Sequence, residues 1–219
     1  MKRVATFVLC CACIGMAHAQ APTLPTPDAK VLGMGGVAMT TISGSHPLYN
    51  NSATAAFSPL PSQVSSSYYG QGKFDYYAVS GYCRVGGENL VQLGWRQYLR
   101  ERGNSDMAVD AGYTRRIGER WAVGLVARYM HLSRPDASAD ALAADLSAAY
   151  SLPIENLGDY STLRAGAKLG NLGGYLDDSA YTLPMDLTAG VALDTFLSDA
   201  HRITVGTDLG YYFTPSHVR

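Results

Sequence analysis

The chain has 219 residues, 47% hydrophobic and 16% charged, and its 17 basic residues nearly balance its 18 acidic ones. That balance, with no basic run and no nucleic-acid motif, excludes a protein that binds DNA or RNA through a cationic surface. No apolar run reaches the roughly 20 residues of a spanning helix, which excludes a helical inner-membrane protein.

Residues 1–19 have the three parts of a secretory signal peptide: Lys2 and Arg3, the apolar stretch Val4 to Met16, and Ala17-His18-Ala19 before Gln20. Cleavage there removes Cys10, Cys11 and Cys13 and leaves only Cys83, so a disulfide-stapled secreted domain is excluded. Nothing near Cys83 would activate it, and it reads as a small wall residue. Without Lys2 and Arg3 the 17 basic residues become 15 against 18 acidic, a charge of −3.

Residues 20–62 form one unit, an extended lead-in over 20–30 with three prolines and then a glycine-rich, nearly uncharged stretch from Asp28 to Phe57. Gly33, Gly35 and Gly36 permit positive φ and close backbone approach around Met34, so the stretch can fold back against a wall. Asn50 and Asn51 can satisfy exposed backbone groups in a turn. This Gly-x-Gly-Gly run is no nucleotide site, because it joins no strand to a helix in a βαβ unit. We expect a plug or hatch carried by these residues, or simply an ordered N-terminal cap.

From residue 63 the pattern predicts an all-β, antiparallel transmembrane β-barrel domain over 63–219, with strands near 63–69, 75–85, 89–99, 106–116, 120–131, 143–152, 161–170, 186–195 and 201–213. Segments of this length suit tilted spanning strands. Leu187, Ala189, Val191 and Leu193 share one face and Asp186, Thr188, Gly190 and Asp194 the other; the strands at 161–170 and 201–213 alternate in the same way. Arg96, Asp110, Asp145, Arg164, Lys168, Asp186, Asp194 and Asp208, with Arg128, then face a polar lumen, where acids and bases can pair across the interior. Trp95 and Tyr98, Trp121 and Tyr129, Tyr150, Tyr211 and Phe213 lie near strand ends, as interfacial aromatics do.

Short links at 86–88, 117–119 and 196–200 and a moderate one at 153–160 alternate with longer ones at 100–105, 132–142 and 171–185. Read as periplasmic turns and extracellular loops, they set the first strand rising from the periplasm and Asp28–Phe57 at the periplasmic mouth. Nine strands ending outside describe an incomplete barrel, so either the strand count is one off or, the expectation we favour, the chain is the N-terminal part of a longer protein.

The histidines (His18, His46, His131, His201 and His217) are dispersed without metal-ligand spacing, and Asp177 and Asp178 read as a solvated loop. Ser133 and Asp136 near His131 lack the grouping a hydrolase needs. No catalytic residue, metal or cofactor is expected.

Asp28-Ala29, then Leu32-Gly33-Met34-Gly35-Gly36-Val37-Ala38, then Asn50-Asn51-Ser52-Ala53 resembles the opening of the PorV/PorQ family of outer-membrane proteins. The family pattern has an arginine near Lys30 and Asn-Pro-Ala at Asn51-Ser52-Ala53. Asp110-Ala111-Gly112-Tyr113, Gly166 through Gly173, and Leu183-Pro184 resemble its middle region, so the resemblance covers most of 28–195. It implies a barrel similar to the FadL-type transporters, in a longer chain of about fourteen strands, seated in outer-membrane lipid of a Gram-negative cell. It also implies work beside the type IX secretion system, with secretion components or exported proteins as partners. A transporter or channel for small solutes, hydrophobic compounds among them, and a structural surface protein stay open. A hydrophobic-ligand carrier should show an apolar pocket beside residues 33–42 and a lateral opening in the wall.

Overall fold

The computed structural model describes residues 24, 26–42, 44–70, 73–135, 137–154, 159–176, 183–198 and 201–213. The leader and the pair Asp177 and Asp178 lie outside them. A short helix α1 (Ala29–Gly33) and two 3-10 turns (Pro47–Tyr49 and Ser52–Phe57) precede the strands. The strands are β1 (Ser62–Gly70), β2 (Phe74–Val85), β3 (Asn89–Arg100), β4 (Asn104–Ile117), β5 (Trp121–Arg134), β6 (Ala137–Ile154), β7 (Asp159–Tyr175), β8 (Met185–Ser198) and β9 (His201–Phe213). They form one nine-stranded sheet in sequence order, every neighbour antiparallel. Among the described residues β1 and β9 are its edges and do not pair, and no helix is long and apolar enough to cross a membrane.

The strand count matches the periodicity, but β6 and β7 are longer than the pattern predicts. Ala137–Leu142 pairs with Tyr129–Arg134, so the expected loop 132–142 is largely strand, and Leu172–Tyr175 pairs with Ala141–Ala144, which shortens the expected loop 171–185 to 176–184. Alanine and glycine there carry weak strand propensity, and pairing to a formed neighbour overrides it. The expected long links 100–105 and 132–142 thus shrink to 101–103 and 135–136, while 176–184 stays long, and the regular alternation of short and long links is lost.

The two faces of the sheet are reversed relative to a water-soluble core. Val64, Val79, Leu93, Leu125, Val191, Val205 and Leu209 project outward and are exposed, as is Cys83. The opposite face buries Ser80, Gln92, Arg96, Asp110, Thr114, Asp145, Ser147 and Asp194. Trp121 packs on Tyr150 at one outward strand end. Tyr98 departs from the aromatic expectation: it turns inward onto Phe74 and Tyr76, because it sits an even step from Arg96.

What covers the polar face is the segment 24–58. Met39 N donates to Asp208 on β9 at 2.9 Å, while the His46 ring contacts Ser67 on β1 at 2.9 Å and Ser80 on β2 at 2.7 Å. Seven residues reach about 25 Å when fully extended, whereas nine flat strands would be about 38 Å wide. The sheet must curl around the segment to bring both edges to it. Apolar packing lies at this junction: Ala53, Ala55 and Ala56 against Tyr82, Leu90, Ala122 and Ala149, then Leu48 and Tyr49 against Tyr76, Ala78 and Val126. Leu24 reaches the opposite strand ends, beside Ala108 and Met130. The segment thus runs along the interior wall instead of capping one mouth.

Candidate functional site

The segment is fastened by its own polar groups. Asp28, fully buried, caps α1 by accepting from Lys30 N at 3.0 Å and Val31 N at 3.3 Å, and its other oxygen accepts His46 N at 3.0 Å. Gly35 (φ +70°) and Gly36 (φ +94°) end that helix in the left-handed region, with Gly36 N bonded to Val31 O at 2.9 Å. Gly33 does not take positive φ, and a Cβ at Gly33, Gly35 or Gly36 would meet nothing within 4 Å. Met34 is half-buried as the residue closing the helix. Close approach is supplied from the wall. A Cβ at Gly166 would lie 2.8 Å from the Met39 carbonyl carbon, one at Gly112 would meet Leu48 at 2.8 Å, and Gly94 and Gly124 lie under Tyr49 and Ser52.

Asn50 and Asn51 do satisfy backbone groups. Asn50 donates to His46 O at 3.3 Å and accepts from Thr26 at 2.7 Å. Asn51 accepts Ala53 N at 3.1 Å and donates to Met39 O at 2.8 Å and to Ala148 O on β6 at 3.1 Å, joining segment to wall. Tyr49 donates to Val79 O at 2.7 Å and to Trp95 O at 3.1 Å, and burial holds its hydroxyl well above the usual phenol range. Burial also lowers the His46 pKa, opposed in part by Asp28, which keeps the ring neutral near pH 7.

No protein-family model matches this chain, and no curated protein does.

The eight polar residues named from the sequence lie on the sheet face toward the segment, and most are tied into ionic stations. In the middle, Arg128 binds Asp110 at 2.6 Å and Asp145 at 2.8 Å, and Arg96 meets Asp110 at 3.3 Å while lying 4.2 Å over the Tyr49 ring. Toward the start of β1, Asp194 takes Arg164 at 2.8 Å and Arg202. At the other end Asp106 takes Arg134 at 2.6 Å and Arg100, a station the sequence reading did not single out. Asp208 accepts Ala38 N at 2.6 Å as well as Met39 N, so a wall carboxylate holds segment backbone. Asp186 accepts from Asn171 at 3.3 Å and from Thr188 at 3.2 Å, and Lys168 makes no ion pair among the described residues.

Asn171 was also missed. The β6–β7 register shifts between Ala144 and Leu146, and Asn171 adopts φ +56° at that bulge. There its N–H meets Asp145 at 2.8 Å and its side chain meets Arg128 at 3.0 Å. Only the asparagine itself, a residue tolerant of that conformation, could have signalled it.

Between segment and wall lies a cavity of about 290 Å³, lined by Ala38, Met39, Tyr49, Arg96, Arg128, Lys168, Asp186 and Asp208 among others. Its lining mixes charged and hydrogen-bonding groups with Leu24, Val31, Met39 and Met130, suited to water or a small amphipathic solute. Among the described residues no group of three or more His, Cys, Asp or Glu could hold a metal ion. Asp136 lies outside the described residues, and His131 pairs with Asp140 at 2.8 Å on the exposed face.

Proposed function

We propose that this chain forms the wall and hatch of an outer-membrane β-barrel of the PorV/PorQ type that serves protein export as a plugged partner of the secretion machinery. The observation that carries this reading is the reversed sheet: exposed Val, Leu, Tyr and Trp outside, buried Arg–Asp pairs inside. An exposed apolar surface of that extent marks a membrane or protein contact, and apolar-out, polar-in alternation is how spanning strands meet lipid. A lumen occupied by residues 24–58 cannot pass a folded cargo, so the export role is that of a companion, not a conduit. The protein is expected in the outer-membrane fraction, and its deletion should reduce surface export of a tagged cargo. Normal export in the deletion strain would sink the export half of the reading; a soluble periplasmic location would sink both halves.

A FadL-like role with small hydrophobic compounds is the second reading. The cavity beside residues 36–39 is mixed, with Leu24, Val31, Met39 and Met130 among its charged groups, and is not the apolar pocket such a carrier calls for, which speaks against that role. An apolar recess of about 760 Å³ on the outer face, lined by Val109, Ala127, Leu142, Ala144, Leu172 and Gly174 at the β6–β7 bulge, speaks for it. Uptake of a hydrophobic tracer by cells with and without the protein separates the two.

A further inference from the structure

Where β1 begins, a cleft of about 650 Å³ opens between the segment and the wall. Ile42, Phe57 and Pro59 form its segment side, and Arg116, Arg120, Arg164 and Arg202 stand opposite, with Glu119 the acidic residue among its lining. Asp194 is divided between Arg164 and Arg202. Arg120 makes no side-chain hydrogen bond or ion pair among the described residues. Arg116 donates to the Glu119 carbonyl at 2.8 Å and lies 5.5 Å over the Phe57 ring. The Nε–H groups of Arg116 and Arg164 are buried with no acceptor among the described residues, and buried donors left this way call for a partner. Lys30, whose ammonium donates to Ile42 O at 2.8 Å, adds a fifth cation. Burial first, then the nearby charges of Arg202 and Arg164, push its pKa down, with Asp194 and Asp28 opposing.

We propose that this cleft binds a soluble anion through a phosphate group held by Arg116, Arg120 and Arg164. Guanidinium forks match phosphate oxygens in pairs, and rings of arginine are how pores select anions. A multiply charged oxyanion supplies the negative charge that Glu119 and Asp194 alone do not give these cations. Arg116, Arg164 and Arg202 stand on the interior face, away from the exposed apolar side, so the phosphate comes from a dissolved ester and not from a lipid headgroup. The inference does not rest on the export role.

The test is calorimetric titration of the full chain in detergent with inorganic phosphate and with pyrophosphate at constant ionic strength. Both anions are expected to bind, pyrophosphate more tightly, and Arg120→Gln should weaken binding about tenfold for one lost charge-assisted contact. Arg116→Gln with Arg120→Gln should weaken it further, and Arg115→Gln, on the outer face, should leave it unchanged. If the Arg116 variant fails to fold, Arg120→Gln at the exposed turn decides alone. No heat with either anion, or equal affinity in Arg120→Gln and wild type, overturns the proposal. So does binding only to vesicles of phosphatidylglycerol and not to the soluble anions, which would assign the cleft to lipid.

Discussion

Arg128 shows how the interior tolerates charge. It is 8% exposed and stands between two carboxylates, each itself held by a further donor: Asp110 by Arg96, and Asp145 by the Asn171 N–H. Buried ions cost little only when paired in this way. Arg128→Met keeps the volume but leaves Asp145 without a paired cation and Asp110 with Arg96 alone, so unfolding in urea should shift by about 3–5 kcal/mol; a loss under 1 kcal/mol would mean that water reaches the pair. His46 makes a different demand. Its neutral ring bridges β1 and β2, with Asp28 and Arg96 the charges that act on it. Because its folded pKa is lowered, docking keeps its full strength above about pH 6.5 and weakens as pH falls toward the lowered value, where the undocked ring protonates first. Relative to the intrinsic rate, which itself falls as pH falls, hydrogen exchange at residues 26–50 should therefore show an excess that grows from pH 7.5 to pH 5, and His46→Gln should flatten that excess. An excess unchanged in the variant would assign it to another group.

Elements explain what the sequence could and could not disclose. Nine strands were legible because alternation such as Leu187, Ala189, Val191 against Asp186, Thr188, Gly190 depends only on the two-residue repeat. The faces of Arg96, Asp110, Asp145 and Asp208 followed from the same repeat. Strand ends were not legible at β6 and β7, where Ala137–Leu142 and Leu172–Tyr175 gain order from pairing. Nor were the ion-pair partners, which join neighbouring strands and do not reach across the interior: Asp110 meets Arg128 directly opposite on β5 through a register that no single strand encodes. Asn171 is where a bulge does structural work, its left-handed backbone aiming both N–H and side chain at the central station. Asn171→Val removes the tolerated conformation and the Arg128 contact together, and should lower the urea midpoint by about 2 kcal/mol. Asn171→Gly, free to take positive φ, should recover about half. Equal losses in the two variants would show that backbone conformation contributes nothing.

At the scale of the whole molecule, the segment substitutes for the second layer that a sheet ordinarily packs against. Its alanines, Leu48 and Tyr49 supply apolar contact, while Asn51, His46 and the backbone of Ala38 and Met39 answer the wall's polar groups. Closing the interior and building the core are therefore the same act, and opening it must cost packing as well as hydrogen bonds. On the outer-membrane reading proposed above, removal of residues 28–57 is expected to raise conductance in planar bilayers and also to lower stability. Where that deletion prevents folding, Asp208→Asn gives the milder case: a neutral amide still accepts from Ala38 and Met39, but without the charge that strengthens both bonds. It should raise the frequency of brief openings about tenfold, for about 1.4 kcal/mol of lost anchorage. Unchanged conductance in both variants would mean that residues 24–58 support the wall without gating it.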